Sequence, residues 1–329
     1  MITTRAPLRI PLGGGGTDLA SYYSQHGGFI LSAAIDKYVY IQLNKLEVEN
    51  FIRVKYAQTE LVDEAAQIEH PLLREALLHT RAGGALEISA MADVPGRTGM
   101  GSSGSFVVAL LAALHTHQGT PFTTQELAEE AHYIEGTRAA QPAGKHDHYL
   151  AAFGGITCLD IAPDGQVQVS PLAIDPATAA QLRASMLLFY TGIQRESFDI
   201  LSQQENDTQQ GNTQVVESLH QVKRIGWEIK EALTAGNLEH FGHLLDEHWQ
   251  LKKQRSGQMS TSAIDDWYQS GLEAGALGGK ILGAGGGGFL MLFCATAQQG
   301  QLRARMAAQG LREMPFHFAT EGAKVLLAT

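Results

Sequence analysis

Three short runs in this chain are almost pure backbone. They are Gly13-Gly14-Gly15-Gly16-Thr17-Asp18, then Pro95-Gly96-Arg97-Thr98-Gly99-Met100-Gly101-Ser102-Ser103-Gly104-Ser105, and Gly283-Ala284-Gly285-Gly286-Gly287-Gly288. At average usage a chain of 329 residues carries roughly 23 glycines, and this one carries 36. The runs hold four, four and five of them, which accounts for the excess. Glycine gathered in this way marks positive φ, or places where backbone must come close to a ligand. No Gly-x-y period is present, and 44% of residues are hydrophobic, so collagen and disorder are both excluded.

The middle run carries the most physics. Phe106, Val107, Leu110, Leu111 and Leu114 follow it at helical spacing, so the loop runs into a helix that begins near Ser103. A helix N-terminus supplies unpaired N–H donors and partial positive charge, which suits phosphate. The Ser102 and Ser103 hydroxyls add ligands for phosphate oxygen or Mg²⁺. The competing reading is a tight strand-to-helix turn with serine caps, which does not call for four glycines. Two phosphate motifs fail. A P-loop would need Gly at Ala274 and Ser or Thr at Ile281, on either side of Lys280. Gly283, Gly285 and Gly288 satisfy G-x-G-x-x-G, but 289–293 reads as a strand, so the dinucleotide context is missing. A turn between strands remains an alternative for that run.

The rest of the chain reads as α+β. Strands are expected at 30–32, 38–43, 51–56, 85–89, 154–161, 167–172, 186–190, 280–282, 289–293 and 316–318. A T-x-x-E box at Thr123 and Glu126 opens a helix toward Arg138. Later helices carry apolar stripes: Val215, Val216, Leu219, Val222, Ile225, Ile229 and Leu233, then Leu238, Phe241, Leu244, Leu245 and Trp249. A further helix is expected to be capped by Ser262. The break between two halves falls near 173–185, giving an N-terminal domain over 1–178 and a C-terminal domain over 179–329. The glutamine-rich 203–214 reads as a solvated helix face or loop. Trp227, Trp249 and Trp267 are expected in the core. His240 and His243 are expected on a solvated helix face, because with Asp246, Glu247 and His248 they give no zinc spacing.

Net charge is −10, which disfavours nucleic acid and anionic membrane as partners. Cys158 and Cys294 are far apart and lack metal spacing, as expected of a reducing cytosol. The first ten residues hold Arg5 and Arg9 and no apolar run, and no stretch of 18 apolar residues occurs. A cytoplasmic protein without a signal peptide or membrane span is expected. The Asn206-Asp207-Thr208 sequon then carries no weight.

Asp147 lies in an expected irregular stretch flanked by Lys145, His146 and His148. On its own it could be a general base, an orienting group or a solvated carboxylate. The combination of segments resembles the GHMP small-molecule kinases over essentially the whole chain. Pro7-Leu8-Arg9 with residues 13–18 is similar to their first motif. Residues 95–105 are similar to the second, P-x-x-x-G-L-G-S-S, with Met100 for the usual Leu, and residues 283–288 are similar to the third. Within the family the likeness is to the bacterial D-glycero-D-manno-heptose 7-phosphate kinase branch. It is carried by Ala34-Ile35-Asp36-Lys37-Tyr38-Val39, Tyr190-Thr191-Gly192-Ile193 and Pro315-Phe316-His317-Phe318. That branch usually has Gln on both sides of the catalytic Asp, where this chain has His146 and His148.

The resemblance implies a two-domain fold, with a ribosomal-protein-like N-terminal α/β domain and a ferredoxin-like C-terminal domain. It implies ATP- and Mg²⁺-dependent phosphorylation of an anomeric hydroxyl, with heptose 7-phosphate giving the 1,7-bisphosphate. Asp147 and Arg9 would be catalytic, and Gly96, Gly99, Gly101, Ser102, Ser103, Gly104 and Ser105 would wrap the ATP phosphates. Ser103 and Glu135 would hold Mg²⁺. Gly15, Thr17, Asp18, Lys145, His146, Gly285 and Gly286 would meet the sugar. Lys145, Arg97 and Arg195 are candidates for a phosphate already on it. The partner implied is a small-molecule sugar or sugar phosphate, with a homodimer as a possible assembly. L-Fucose, galactose and an octose phosphate remain alternative substrates. A catalytically silent ligand-binding protein is the alternative of another class, against which the intact Asp147, Glu135 and Ser103 weigh.

Overall fold

In a computed structural model the described residues are all but Arg195, Glu196 and Gly257, with no description of the Ser197 side chain. The expected phosphate contact of Arg195 therefore lies outside the described residues. The first half runs β1 (Ile2–Gly13), α1 (Ala20–His26), β2 (Gly28–Lys45), β3 (Ile52–Lys55), β4 (Thr59–Val62), α2 (Pro71–Thr80), β5 (Leu86–Ala92), α3 (Ser102–Gln118), α4 (Thr124–Tyr133), α5 (Lys145–Phe153), β6 (Ile156–Ile161) and β7 (Val167–Pro171). The second half runs α6 (Pro176–Ser185), β8 (Met186–Tyr190), α7 (Ser197–Gln209), α8 (Thr213–Thr234), α9 (Leu238–Lys253), α10 (Ser262–Glu273), β9 (Ala276–Ile281), β10 (Phe289–Cys294), α11 (Gln299–Ala308), β11 (Arg312–Glu313) and β12 (Lys324–Ala328).

Two prolines in β1, Pro7 and Pro11, explain how the first sheet makes room for a site. Proline cannot donate to a ladder and is confined to edges and bulges. β1 pairs along its length with β2, and its register shifts after both prolines. On its other side it pairs with β12 only through residues 2–5. Beyond that point the edge is open, and the second glycine run docks there: the Arg9 N–H donates to the Met100 carbonyl at 3.1 Å. The Ser105 hydroxyl donates to the Pro7 carbonyl at 2.7 Å. α3 is buried continuously from Gly104 to Leu114, as a helix apolar on every side must be, and it forms the centre of the first core.

The second sheet has the antiparallel order β11-β8-β10-β9. With α7–α10 inserted between β8 and β9, and α11 between β10 and β11, this is the strand order of a ferredoxin-like unit. Its outer face packs on a separate core around Leu187, Phe189, Trp249 and Leu292.

Several expectations need correction. The strands at 30–32 and 38–43 are parts of one long strand, β2, and α1 and α2 were not legible. Residues 316–318 form only an isolated bridge, from Phe318 to Ile35, and the closing strand is β12. Asp147 sits in the first turn of α5, where helix N–H groups favour a carboxylate, and not in an irregular stretch. Thr261, not Ser262, caps α10, accepting from the Ile264 N–H. Trp227 is 36% exposed and stacks on Phe29 at 3.8 Å. His248 is buried, unlike the exposed His240 and His243. A boundary at 178/179 would cut α6, and β12 crosses back into the first sheet.

Candidate active site

A cavity of about 800 Å³ opens where the three glycine runs meet. Its wall includes Arg9, Asp18, Ser102, Ser103, Glu135, His146 and Asp147 from the first half. His248, Lys252, Arg255 and Lys280 line it from the second. The glycines of the second and third runs let loop backbones press together. A Cβ on Gly283 would lie 2.5 Å from the Gly99 Cα, and one on Gly99 would overlap the Leu282 carbonyl. Gly104 performs a similar service for α5, since a Cβ there would sit 2.8 Å from the Asp147 Cβ.

At the meeting point stands an ion pair. Arg9 Nε donates to Asp147 Oδ1 at 2.7 Å and Nη2 approaches the same oxygen at 2.6 Å. Arg9 Nη1 donates to the Gly99 carbonyl at 2.6 Å, tying the pair to the second run. His146 Nε2 lies 2.9 Å from the same Asp147 oxygen, while its Nδ1 lies 2.5 Å from Asp18 Oδ2. Asp18 Oδ2 also accepts from the His146 backbone N–H at 3.1 Å. The result is a chain of alternating charge, Asp18–His146–Asp147–Arg9. Burial works against the charge on His146, but Asp147 and then Asp18 overcome it and push its pKa up to about 9. Burial likewise opposes ionisation of Asp147. Arg9 and then His146 outweigh it and hold the carboxyl well below the usual range. Asp18 is also lowered, burial being outweighed chiefly by His146.

Glu135 lies in a π-helical turn, Ile134–Arg138, that extends α4. Such turns recur at functional sites because they turn a side chain inward. Its Oε2 is 2.7 Å from His148 Nε2, and both side chains are buried. His132 stacks on His148 at 5.4 Å, and burial, with His148 beside it, pushes the His132 pKa down to about 2. Glu135 Oε1 has no hydrogen-bond partner among the described residues. With the Ser103 hydroxyl in the same cavity, the donors are oxygen only. No group of three metal-ligating side chains occurs among the described residues. The oxygen donors of Glu135 and Ser103 suit Mg²⁺, which keeps waters and would take its remaining ligands from substrate phosphates. At the far end of the second run, Tyr56, His70 and Phe106 form an aromatic cluster, with ring centroids 4.8 and 5.1 Å apart.

Other expected residues support the site without lining it. Thr17 is fully buried and bonds Gly14 and Phe29. Ser105 is equally buried and holds α3 to β1. Lys145 pairs with Glu129 at 3.0 Å. Gly96, Gly104 and Gly286 are absent from the cavity wall, whereas Gly15, Gly99, Gly101, Gly285 and Arg97 line it.

Lining residues without an evident signal in the sequence include Lys252, Arg255, His248 and Gln204, with Lys280 beside them. Gln204 Nε2 donates to the Gly16 carbonyl at 3.3 Å. Burial pushes the Lys252 pKa down to about 7 and the Arg255 pKa to about 10. Burial, and then neighbouring cations, put His248 and Lys280 well below their ordinary values. One signal was present. Lys280 is the only charged residue between positions 274 and 294.

The GHMP kinase N-terminal domain pattern matches residues 60–155, and the GHMP kinase C-terminal pattern matches 229–311. The chain is 28% identical to a D-glycero-alpha-D-manno-heptose 7-phosphate kinase of Campylobacter jejuni, over 98% of each chain. It is 26% identical to a galactokinase of Pyrococcus furiosus, over 87% of each. Among solved structures, a D-glycero-D-manno-heptose 1-phosphate kinase from Bacteroides thetaiotaomicron superposes over the whole of both chains with a TM-score of 0.82, at 24% identity. No helix among the described residues is long and apolar enough to cross a membrane.

Proposed function

Since this chain belongs to the GHMP kinase family, we propose that it is a sugar kinase that moves the γ-phosphate of ATP to the anomeric hydroxyl of D-glycero-D-manno-heptose 7-phosphate. The observation that carries the reading is the Arg9–Asp147 pair, held at the junction of three glycine runs. Asp147 Oδ1 is occupied by Arg9 and His146, while Oδ2 has no partner among the described residues. Oδ2 is therefore the atom that accepts the hydrogen bond of the attacking hydroxyl.

Asp147 is a weak base, because Arg9 and His146 stabilise its anion. It orients the hydroxyl first and takes the proton late, as the new O–P bond forms. A loose phosphoryl-transfer transition state asks for little more than positioning and charge stabilisation. Arg9 keeps Asp147 ionised and sets positive charge beside the transferring group. The N–H groups at the start of α3 and the Ser102 hydroxyl receive phosphate oxygens, and the Tyr56–His70–Phe106 cluster offers faces for the adenine. Glu135 and Ser103 would hold Mg²⁺, which supplies charge neutralisation of the triphosphate when bound.

A coupled assay of ADP release over free and phosphorylated sugars tests this reading. The expected result is turnover with heptose 7-phosphate well above any free hexose. Turnover of galactose or L-fucose but not of the heptose phosphate would replace the substrate. ATP binding with no sugar-dependent turnover would replace the enzyme with a silent binding protein.

A further inference from the structure

We infer that Arg255, Lys252 and Lys280, with His248, form a ready-made subsite for a phosphate monoester carried by the acceptor, away from the hydroxyl that is phosphorylated. The inference rests on the sugar-kinase reading and names where an anionic acceptor would be held.

Four observations carry it. All four residues line the cavity described above, and their exposures are 6%, 7%, 2% and 2% in the order named. None of them forms an ion pair with a carboxylate among the described residues, whereas Arg9 and His146 in the same cavity do. Arg255 Nη2 and both ring nitrogens of His248 are buried with no hydrogen-bond partner among the described residues. Cations this deep without a counter-ion are costly, and a buried donor without an acceptor adds to that cost. An anionic ligand would satisfy both.

Position then selects which anion. Arg255 Nη1 donates to the Gly15 carbonyl at 3.0 Å and Lys280 Nζ to the Leu12 carbonyl at 2.9 Å. Lys252 Nζ donates to Ile281 at 3.1 Å and Gly283 at 2.5 Å. The cluster is thus built onto the first and third runs, and the second run, which leads into α3, belongs to neither set of contacts. These bonds leave N–H groups over. Lys280 and Lys252 keep N–H capacity beyond these bonds, beside the buried and unpartnered Nη2 of Arg255, and an anion placed there would favour their charged forms. Several such donors lining one cavity suit the oxygens of a phosphate monoester. Lys145 cannot serve, being engaged by Glu129 outside the cavity wall.

The test is equilibrium binding to the full chain without nucleotide, by calorimetry. D-glycero-D-manno-heptose 7-phosphate is compared with the same heptose lacking phosphate, and inorganic phosphate serves as competitor. The wild-type chain should prefer the phosphorylated sugar by about 100-fold, and inorganic phosphate should compete. Arg255→Gln should remove most of that preference, while a non-hydrolysable ATP analogue still binds within about threefold, which also reports that the variant is folded. Arg255→Lys, which keeps the charge but not the fork, should fall between the two. Equal binding of the two sugars by the wild-type chain would overturn the inference. So would a loss of ATP-analogue affinity with heptose-phosphate affinity intact, because the cluster would then hold the donor. A failed turnover assay leaves this result standing: phosphate-dependent binding lost in Arg255→Gln identifies the subsite whether or not this heptose is the substrate.

Discussion

The cavity has two walls that handle charge in opposite ways. On the wall from the first half, the central charges are paired within about 3 Å: Asp18 with His146, His146 with Asp147, Asp147 with Arg9. On the wall from the second half, Arg255, Lys252 and Lys280 are as deeply buried and have only carbonyls and one hydroxyl. A paired wall holds its geometry before substrate arrives, which is what chemistry at a fixed point requires. An unpaired wall is incomplete until an anion enters, which is what recognition requires. Substitutions on the two walls should therefore have different signatures: loss of rate on the first, loss of binding and gain of ligand-free stability on the second.

The largest effect is expected at the centre of the paired wall. Asp147→Asn keeps the shape but removes the anion that orients the hydroxyl and balances Arg9. kcat should fall by about 10³-fold or more with ATP affinity nearly unchanged, as steady-state kinetics and ATP-analogue binding would show. Activity within tenfold of wild type would remove Asp147 from the mechanism. Next in size is Gly283→Ala. Its Cβ would meet the Gly99 backbone and separate the second and third runs, so kcat/KM should drop by about 10–100-fold with a lowered melting temperature.

His146 tests whether pairing itself matters. With its pKa raised to about 9 from an ordinary 6.5, its charge stabilises the fold fully below about pH 6.5 and is lost as pH rises through 9. Asp18 and Asp147, both lowered, contribute across that whole window. Wild-type activity and stability should therefore decline together near pH 9. His146→Gln, which restores the residue usual in the heptose kinase branch, should abolish that alkaline limb at a cost of about tenfold in kcat at pH 7.5. An alkaline limb that persists in the variant would assign it to another group.

The paired wall was legible in sequence and the unpaired wall was not, for a physical reason. The glycine runs stand out by composition, whereas the roles of Asp147 and Glu135 follow from the family resemblance, since Asp147 on its own also reads as a solvated carboxylate. Helix α3 is legible by its spacing, and β8 and β10 by their apolar runs, whereas the short, charged β11 carries no such signal. Lys252 and Arg255 look like any cations near a helix C-terminus, where they are expected on the surface. Only the packing of α9 on β9 buries them, and that packing is tertiary. The long-range bonds of Arg255 to Gly15 and of Lys280 to Leu12 span 240 and 268 residues, beyond any local pattern. Strand β2 reads as two because Asp36 and Lys37 interrupt its apolar residues, while its pairing with β1 resumes on both sides of them, Ile35 opposite Leu8 and Tyr38 opposite Pro7.

The smallest effect is the most discriminating, because its sign is unusual. Lys280 is fully buried, lacks a carboxylate and donates to a single carbonyl, that of Leu12. Replacing it by Met keeps the volume and leaves one carbonyl under-satisfied, but removes a buried amine whose charged form is opposed by burial and then by Lys252 and Arg255. Replacement of buried charge by a well-packed apolar side chain is often neutral or stabilising, by about 1–4 kcal/mol in the best cases. Ligand-free Lys280→Met should therefore melt at least as high as wild type, and up to a few degrees higher. Sugar phosphate should raise its melting temperature less than it raises that of wild type, since the ligand no longer relieves the same repulsion. The matched change on the other wall, Arg9→Met, leaves Asp147 with His146 alone and should lower stability instead. If both variants lose stability alike, the two walls are energetically the same, and the unpaired cations are held by protein contacts rather than kept for a ligand.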